Sequence, residues 1–161
     1  GVDMAAREAM LLGSYLAGMA FTRAGVGYVH AIAHQLGALY HLPHGLANAI
    51  VLPHVLDYSR PKCQHRLAQL GRAAGLPGES QSDDALAAAY IAKVRQLNAV
   101  LSIPRSVEAL RKADFERIVD SAFAEAHGTY GVPRYLGRRD AHELLNRLLP
   151  MHDAEAQTKG K

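Results

Sequence analysis

Nine histidines are many for a chain of 161 residues, and His30, His34, His41, His44 and His54 fall in one stretch. His30 and His34 stand four apart in HAIAH, so on a helix both imidazoles leave one face about a turn apart, within reach of one ion or one substrate. His44 follows just past the end of that segment, and a chain reversal at Leu42-Pro43 is expected to bring it back beside the pair. Neutral imidazole is the commonest metal ligand, and three are enough to hold zinc or ferrous iron with positions left open. A four-spaced pair is equally what a polar stripe on a packed helix looks like. The further histidine in a tight turn tilts the balance toward a metal. Proteolysis is excluded, because Ala31 stands where the HExxH pattern requires its general-base glutamate.

Other chemistry is poorly served. Gly25-x-Gly27 opens the histidine segment like part of a dinucleotide fingerprint, but His30 occupies the third glycine position and the preceding segment reads as a helix rather than a strand. Those glycines fit a tight turn and close packing better. Cys63 lies on an apolar stripe, where a thiol is buried and inert. Ser14 and Ser59 have no histidine and acid arranged as a triad.

The elements that must position these histidines are helical. Composition is that of a globular protein, 49% hydrophobic and 20% charged, with only 6% aromatic residues and no Trp, a balance that favours helices over an all-β body. Met4, Leu11, Leu12, Tyr15, Leu16 and Met19 keep the helical period over about 3–21. Tyr28 to Tyr40 forms a second helix, ended by Pro43 and Gly45. A third runs from His44 to Tyr58 with a kink expected at Pro53, and a fourth starts at Pro61 and stops at Gly75. After a surface loop at 77–81, Ser82 or Asp83 caps a fifth helix with Leu86, Tyr90, Val94, Leu97 and Leu101 on one face. Asp114 to Gly128 is a sixth. A Gly-, Pro- and Arg-bearing loop then leads to Asp140 and Glu143, spaced as a capping box for a last helix through Leu148, with a polar tail after Met151. The expected fold is all-α, about seven helices in one domain over 1–161.

Charge and cysteine content narrow the partners. Eighteen basic against fifteen acidic residues give a net charge of +3, with Lys and Arg scattered, so a nucleic-acid partner is not expected. A single cysteine excludes a disulfide framework within the chain and suits a reducing compartment, with the cytoplasm as the expected location. No apolar run approaches the ~18 residues of a membrane span, so no membrane partner is expected.

Taken whole, GVGYVHAIAHQLGALYHLPHGLANAIVLPHVLDYS, residues 25–59, resembles the signature of the iron-containing (group III) alcohol dehydrogenases. The pattern H-x-x-x-H-x-x-G, then P-H-G-x-x-N-A, then L-P is long and specific. The helix with Leu16-Ala17-Gly18-Met19-Ala20 and the later Ile103-Pro104 extend the likeness over nearly the whole chain. The resemblance implies a C-terminal all-helical domain whose NAD(P)-binding N-terminal partner domain is missing here, so Gly1 is expected to be an internal boundary. It implies that Fe2+ or Zn2+ is held by an upstream Asp and His four residues apart together with His30 and His44. It makes His34 a catalytic neighbour of nicotinamide and substrate, a proton-transfer group rather than a ligand.

That upstream pair is absent, since Asp3 is followed four residues later by Arg7. Half a metal site is therefore expected, with His41 placed to act as an opportunistic ligand. Gln35 also departs from the proline often found after the second histidine. The chemistry implied is NAD(P)-dependent interconversion of small alcohols with aldehydes or ketones, by a protein expected to be a homo-oligomer, with this chain inactive alone. Maleylacetate reductases of the same superfamily are the nearer alternative, although Gly45 and Asn48 fit alcohol dehydrogenases better. A stand-alone helical interaction module with a vestigial metal site is the alternative from another class.

Overall fold

A computed structural model describes residues 1–77 and 82–150. Among them there are six α-helices and no strand: α1 (Met4–Ala24), α2 (Gly27–Tyr40), α3 (His44–Ala73), α4 (Asp83–Val100), α5 (Phe115–Ala126) and α6 (Arg138–Asn146), with a 3-10 turn at Lys112–Asp114 leading into α5. The surface loop expected at 77–81 and the tail after Met151 fall almost entirely outside the described residues.

The core is built where apolar periodicity placed it. Tyr28, Ala31, Ile32 and Leu36 of α2 meet Ala47, Ile50 and Val51 of α3, Ile118 and Val119 of α5, and Leu144 and Leu145 of α6. The distal half of α3 packs on α4 through a smaller cluster of Leu67, Ala87 and Ile91. Burying side chains of this size stabilises by roughly 1.5–3 kcal/mol each, so α2, buried along one whole face, is the anchor of the domain.

α1 behaves differently. Asp3 caps it by accepting the Ala6 N–H at 3.0 Å, and it runs three residues beyond the expected end. None of its residues is buried: Met4, Leu11, Leu12, Tyr15, Leu16 and Met19, the stripe expected to face a core, all lie open. A helix apolar around its circumference normally belongs inside something, and nothing described covers it.

One proline expectation is shifted and one is largely met. Pro53, the site of the expected kink, keeps helical backbone angles, while two helical runs within α3 join across a kink at Cys63 (φ −141°, ψ 23°), two residues from the helix start expected at Pro61. Pro53 lacks the N–H that would bond the Ala49 carbonyl, and Asn98 of α4 supplies a substitute, donating its Nδ2 to that oxygen at 2.7 Å. With the orphaned acceptor satisfied from the side, the helix passes through the proline. Pro61 thus lies two residues before the break rather than in the first turn after it.

The expected capping box is also absent. α6 begins at Arg138 with Gly137 as its N-cap, and Asp140 lies inside the first turn. Its carboxylate is engaged elsewhere, pairing with Arg139 and taking the longer share, at 3.1 Å, of the one Tyr58 hydroxyl hydrogen that the Tyr135 carbonyl meets at 2.6 Å. At α4 the expected cap holds, with Ser82 Oγ accepting the Ala85 N–H.

Candidate metal and proton-transfer site

The turn between α1 and α2 sets where the first histidine points. Gly25 (φ 76°) closes α1 and Gly27 (φ 68°) opens α2, both in the left-handed region where a side chain is strained. The Gly25-x-Gly27 pair forms the reversal between α1 and α2. At the far end of α2, His41 adopts φ 55° and its N–H bonds the Gly37 carbonyl, after which Pro43 starts α3 with His44 as its first residue.

This reversal does what Leu42-Pro43 led us to expect. The His30 and His44 ring centres lie 5.2 Å apart, His34 and His44 5.3 Å, and His30 and His34 5.9 Å. His34 stacks nearly parallel on His44, and Phe21 from α1 approaches His30 at 6.3 Å. His41 is exposed, and no ring contact among the described residues joins it to the three. His54 faces another cleft of about 240 Å³, with Asp57, Tyr58, Arg134 and Asp140.

The donor set suits a cation in part. His30 Nδ1 is buried and has no hydrogen-bond partner, and burial, followed by the neighbouring His44 and His34, pushes its pKa down against the opposing Glu125, so the ring is held in the neutral form a metal requires. Two imidazoles on one tetrahedral ion, with metal–nitrogen bonds of 2.0–2.1 Å, have ring centres about 5 Å apart, the separation seen between His30 and His44. Against this, no group of three or more His, Cys, Asp or Glu side chains among the described residues is arranged to enclose an ion. Among the described residues the cluster is at most a partial donor set.

Sequence reasoning missed the polar groups around the rings. His34 Nδ1 meets Glu125 Oε1 at 2.8 Å, the Tyr130 hydroxyl donates to the same oxygen at 2.9 Å, and Gln35 donates to Oε2 at 3.4 Å. Glu125 sits at the end of α5 with no pattern to separate it from other surface acids; only the packing of α2 on α5 shows it. Asn48, part of the PHG-x-x-N motif, donates from Nδ2 to the His44 carbonyl and to His44 Nε2, both at 3.0 Å, so the amide steers the His44 ring one turn above it.

The loop before α6 is pinned more firmly than its composition implied. Tyr28 hydroxyl accepts the Leu136 N–H, Tyr58 hydroxyl donates to the Tyr135 carbonyl at 2.6 Å, and Arg134 bonds the Tyr58 carbonyl while lying over the Tyr58 ring. His127 is sandwiched between Phe123 and Tyr135, each 4.1 Å away. These anchors hold the end of the loop at 134–136, and Tyr130, which meets Glu125, lies at its start. Cys63 is half-buried, donates to the Ser59 carbonyl at 3.2 Å, and burial pushes its thiol pKa up, as expected of an inert cysteine.

An all-helical body that gathers histidines across one helix reversal is the class this geometry defines, and comparison with known proteins makes it specific. The family profile described as Fe-containing alcohol dehydrogenase family, C-terminal, matches residues 1–149. Alcohol dehydrogenase 4 of Saccharomyces cerevisiae (strain YJM789) is 42% identical over 130 residues, 78% of this chain and 32% of the yeast protein. The 1,3-propanediol dehydrogenase of Citrobacter freundii is 36% identical over 147 residues, 90% of this chain and 38% of that one. A solved 1,3-propanediol oxidoreductase superposes with a TM-score of 0.85 at 33% identity, over 91% of this chain and 39% of the other. The chain belongs to the iron-containing alcohol dehydrogenase family and corresponds to its C-terminal domain. It spans about a third of the length of these relatives.

Proposed function

We propose that this chain is the metal- and substrate-facing part of an NAD(P)-dependent alcohol dehydrogenase that interconverts small alcohols with aldehydes or ketones. The observation that carries the reading is the convergence of the His30, His34 and His44 rings, whose centres lie 5.2 to 5.9 Å apart. His30 and His44 would hold Fe2+ or Zn2+, and His34 would face the substrate. A divalent ion held there would supply Lewis acidity toward an alcohol oxygen, and a nicotinamide cofactor bound by another domain would supply the hydride acceptor.

The protein's own share is arrangement and proton handling. Burial favours the neutral form of His30, and Asn48, which donates to His44 Nε2 in the metal-free chain, would release that nitrogen when an ion binds there. His34, half-exposed at the edge of the cluster, takes the proton that leaves an alcohol and returns it in the reverse direction. The names of the relatives, a propanediol dehydrogenase and a lactaldehyde reductase among them, favour short, polar alcohols as substrates. A cofactor-binding domain, further metal ligands and a second copy are the partners this reading calls for, and a cytoplasmic location suits it.

Titration calorimetry and an NAD(P)H absorbance assay on the 161-residue chain test the proposal. Weak binding of Zn2+ or Ni2+ that disappears in a His30→Ala/His44→Ala double variant, without turnover, is expected. An unchanged isotherm in that variant refutes the ligand assignment. Steady turnover refutes the need for a separate cofactor domain.

A further inference from the structure

Glu125 takes no part in holding a metal or a substrate in the proposed function, yet three side chains from two other segments converge on its carboxylate. Oε1 accepts two short hydrogen bonds, from His34 at 2.8 Å and Tyr130 at 2.9 Å, and Oε2 faces Gln35 at 3.4 Å. We propose that Glu125, steadied by Tyr130, is the positioning residue that fixes the tautomer and ring orientation of His34, with the proton on Nδ1 and the lone pair on Nε2. The inference rests on His34 being the group that moves the proton; its test does not.

The argument is one of donor and acceptor inventory. A carboxylate only accepts, so in the contact between Oε1 and a neutral imidazole the hydrogen belongs to Nδ1. A neutral imidazole carries one N–H, so Nε2 is left with the lone pair. The contact to Glu125 is the one hydrogen bond His34 makes among the described residues, and 41% of its side chain is exposed. Its remaining contacts are ring against ring, the stack on His44 and the edge approach to His30, neither of which distinguishes one imidazole nitrogen from the other. Without Glu125 the ring is free to turn over about χ2 and to adopt the Nε2–H tautomer that free imidazole prefers. A base for alcohol oxidation needs an empty nitrogen facing the substrate, so the wrong tautomer blocks the first proton transfer even with the ring in place.

Tyr130 makes the arrangement more than a surface contact. It lies five residues past Glu125, beyond the end of α5, and its hydroxyl fills the second acceptor site of the same oxygen. That carboxylate raises the tyrosine pKa, so Tyr130 stays a donor across the working range and holds the carboxylate in place. Its ring packs near Gly25, where an added Cβ would sit 3.6 Å from Cδ1. The turn that aims α2 and the group that orients His34 are therefore in contact.

The experiment is long-range 1H–15N NMR of the metal-free 161-residue chain with 15N-labelled histidine at pH 9, where an ordinary imidazole is neutral. His34 is assigned by its loss in His34→Gln. The wild type is expected to show a protonated Nδ1 and an unprotonated Nε2. In Glu125→Ala that pattern reverses or averages, whereas Glu125→Gln, whose amide oxygen still accepts, restores it. A merely structural carboxylate predicts no change of tautomer. Should Glu125→Ala lose its helical circular dichroism, Tyr130→Phe carries the test, with a shift of the His34 signals toward the Nε2–H form. An Nε2–H tautomer in the wild type, or the same spectrum in wild type and the folded Glu125 and Tyr130 variants, overturns the proposal. A failed metal titration with the Nδ1–H pattern intact would remove the proposed function and leave this inference standing.

Discussion

Asn98 satisfies the Ala49 carbonyl that Pro53 leaves without an N–H partner, and a double-mutant cycle with Pro53 measures what that bond contributes. Asn98→Ala removes the 2.7 Å bond to the Ala49 carbonyl, and Pro53 guarantees that no backbone N–H can replace it. A net intramolecular hydrogen bond contributes about 0.5–1.5 kcal/mol, and leaving a buried acceptor unpaired costs about 1–3 kcal/mol. The bond is only part-buried, which puts the expected loss near ~1 kcal/mol, a fall of about 2–4 °C in Tm for a domain of this size. Pro53→Ala returns an N–H to the position facing Ala49. In that background Asn98→Ala should cost about 1 kcal/mol less than in the wild type, whatever Pro53→Ala does alone. Urea denaturation of the four proteins gives the coupling. Equal costs in both backgrounds refute the account of how the helix passes its proline.

Other outcomes follow from the same contacts. His127 and His54 have pKa values lowered chiefly by burial, so below the unfolded value of about 6.5 the unfolded chain binds more protons than the folded one. Stability should be flat above that pH and decline below it, with a lower urea midpoint at pH 5.5 than at 7.5; His127→Phe, which keeps the aromatic stack, should reduce the decline. Leu36→Ala, at a fully buried position of α2, should cost about 2–5 kcal/mol, read as a shifted urea midpoint at constant slope. In an enzyme completed by its cofactor domain, His30→Ala and His44→Ala should lose metal and activity together, while His34→Ala keeps its metal by elemental analysis and loses turnover.

The helical period was legible in α1, α2, α4 and α5 because apolar side chains repeat without interruption, and the approach of His44 to His30 followed from a reversal that Pro43 enforces. What stayed hidden depended on contacts between distant segments. Nothing local shows that Asn98 repairs the helix 45 residues upstream of it, so Pro53 read as a kink. The spacing of Asp140 and Glu143 fits a cap, but Tyr58 claims the aspartate from across the fold. Glu125 was invisible for the same reason: its role exists only once α5 lies against α2. The periodicity of α1 showed an apolar helix and could not say whether a core would receive it.

The openness of α1 divides the molecule by how it moves. Amide protons on α2, buried in the core, should exchange with solvent only when the core opens, whereas those of Met4–Ala24, none of whose side chains is buried, need only a local helix–coil transition. Phe21, which stands against His30, belongs to the fast-exchanging part. Because Phe21 links the exposed helix to His30, any contact that protects α1 is expected to steady that side of the histidine cluster as well.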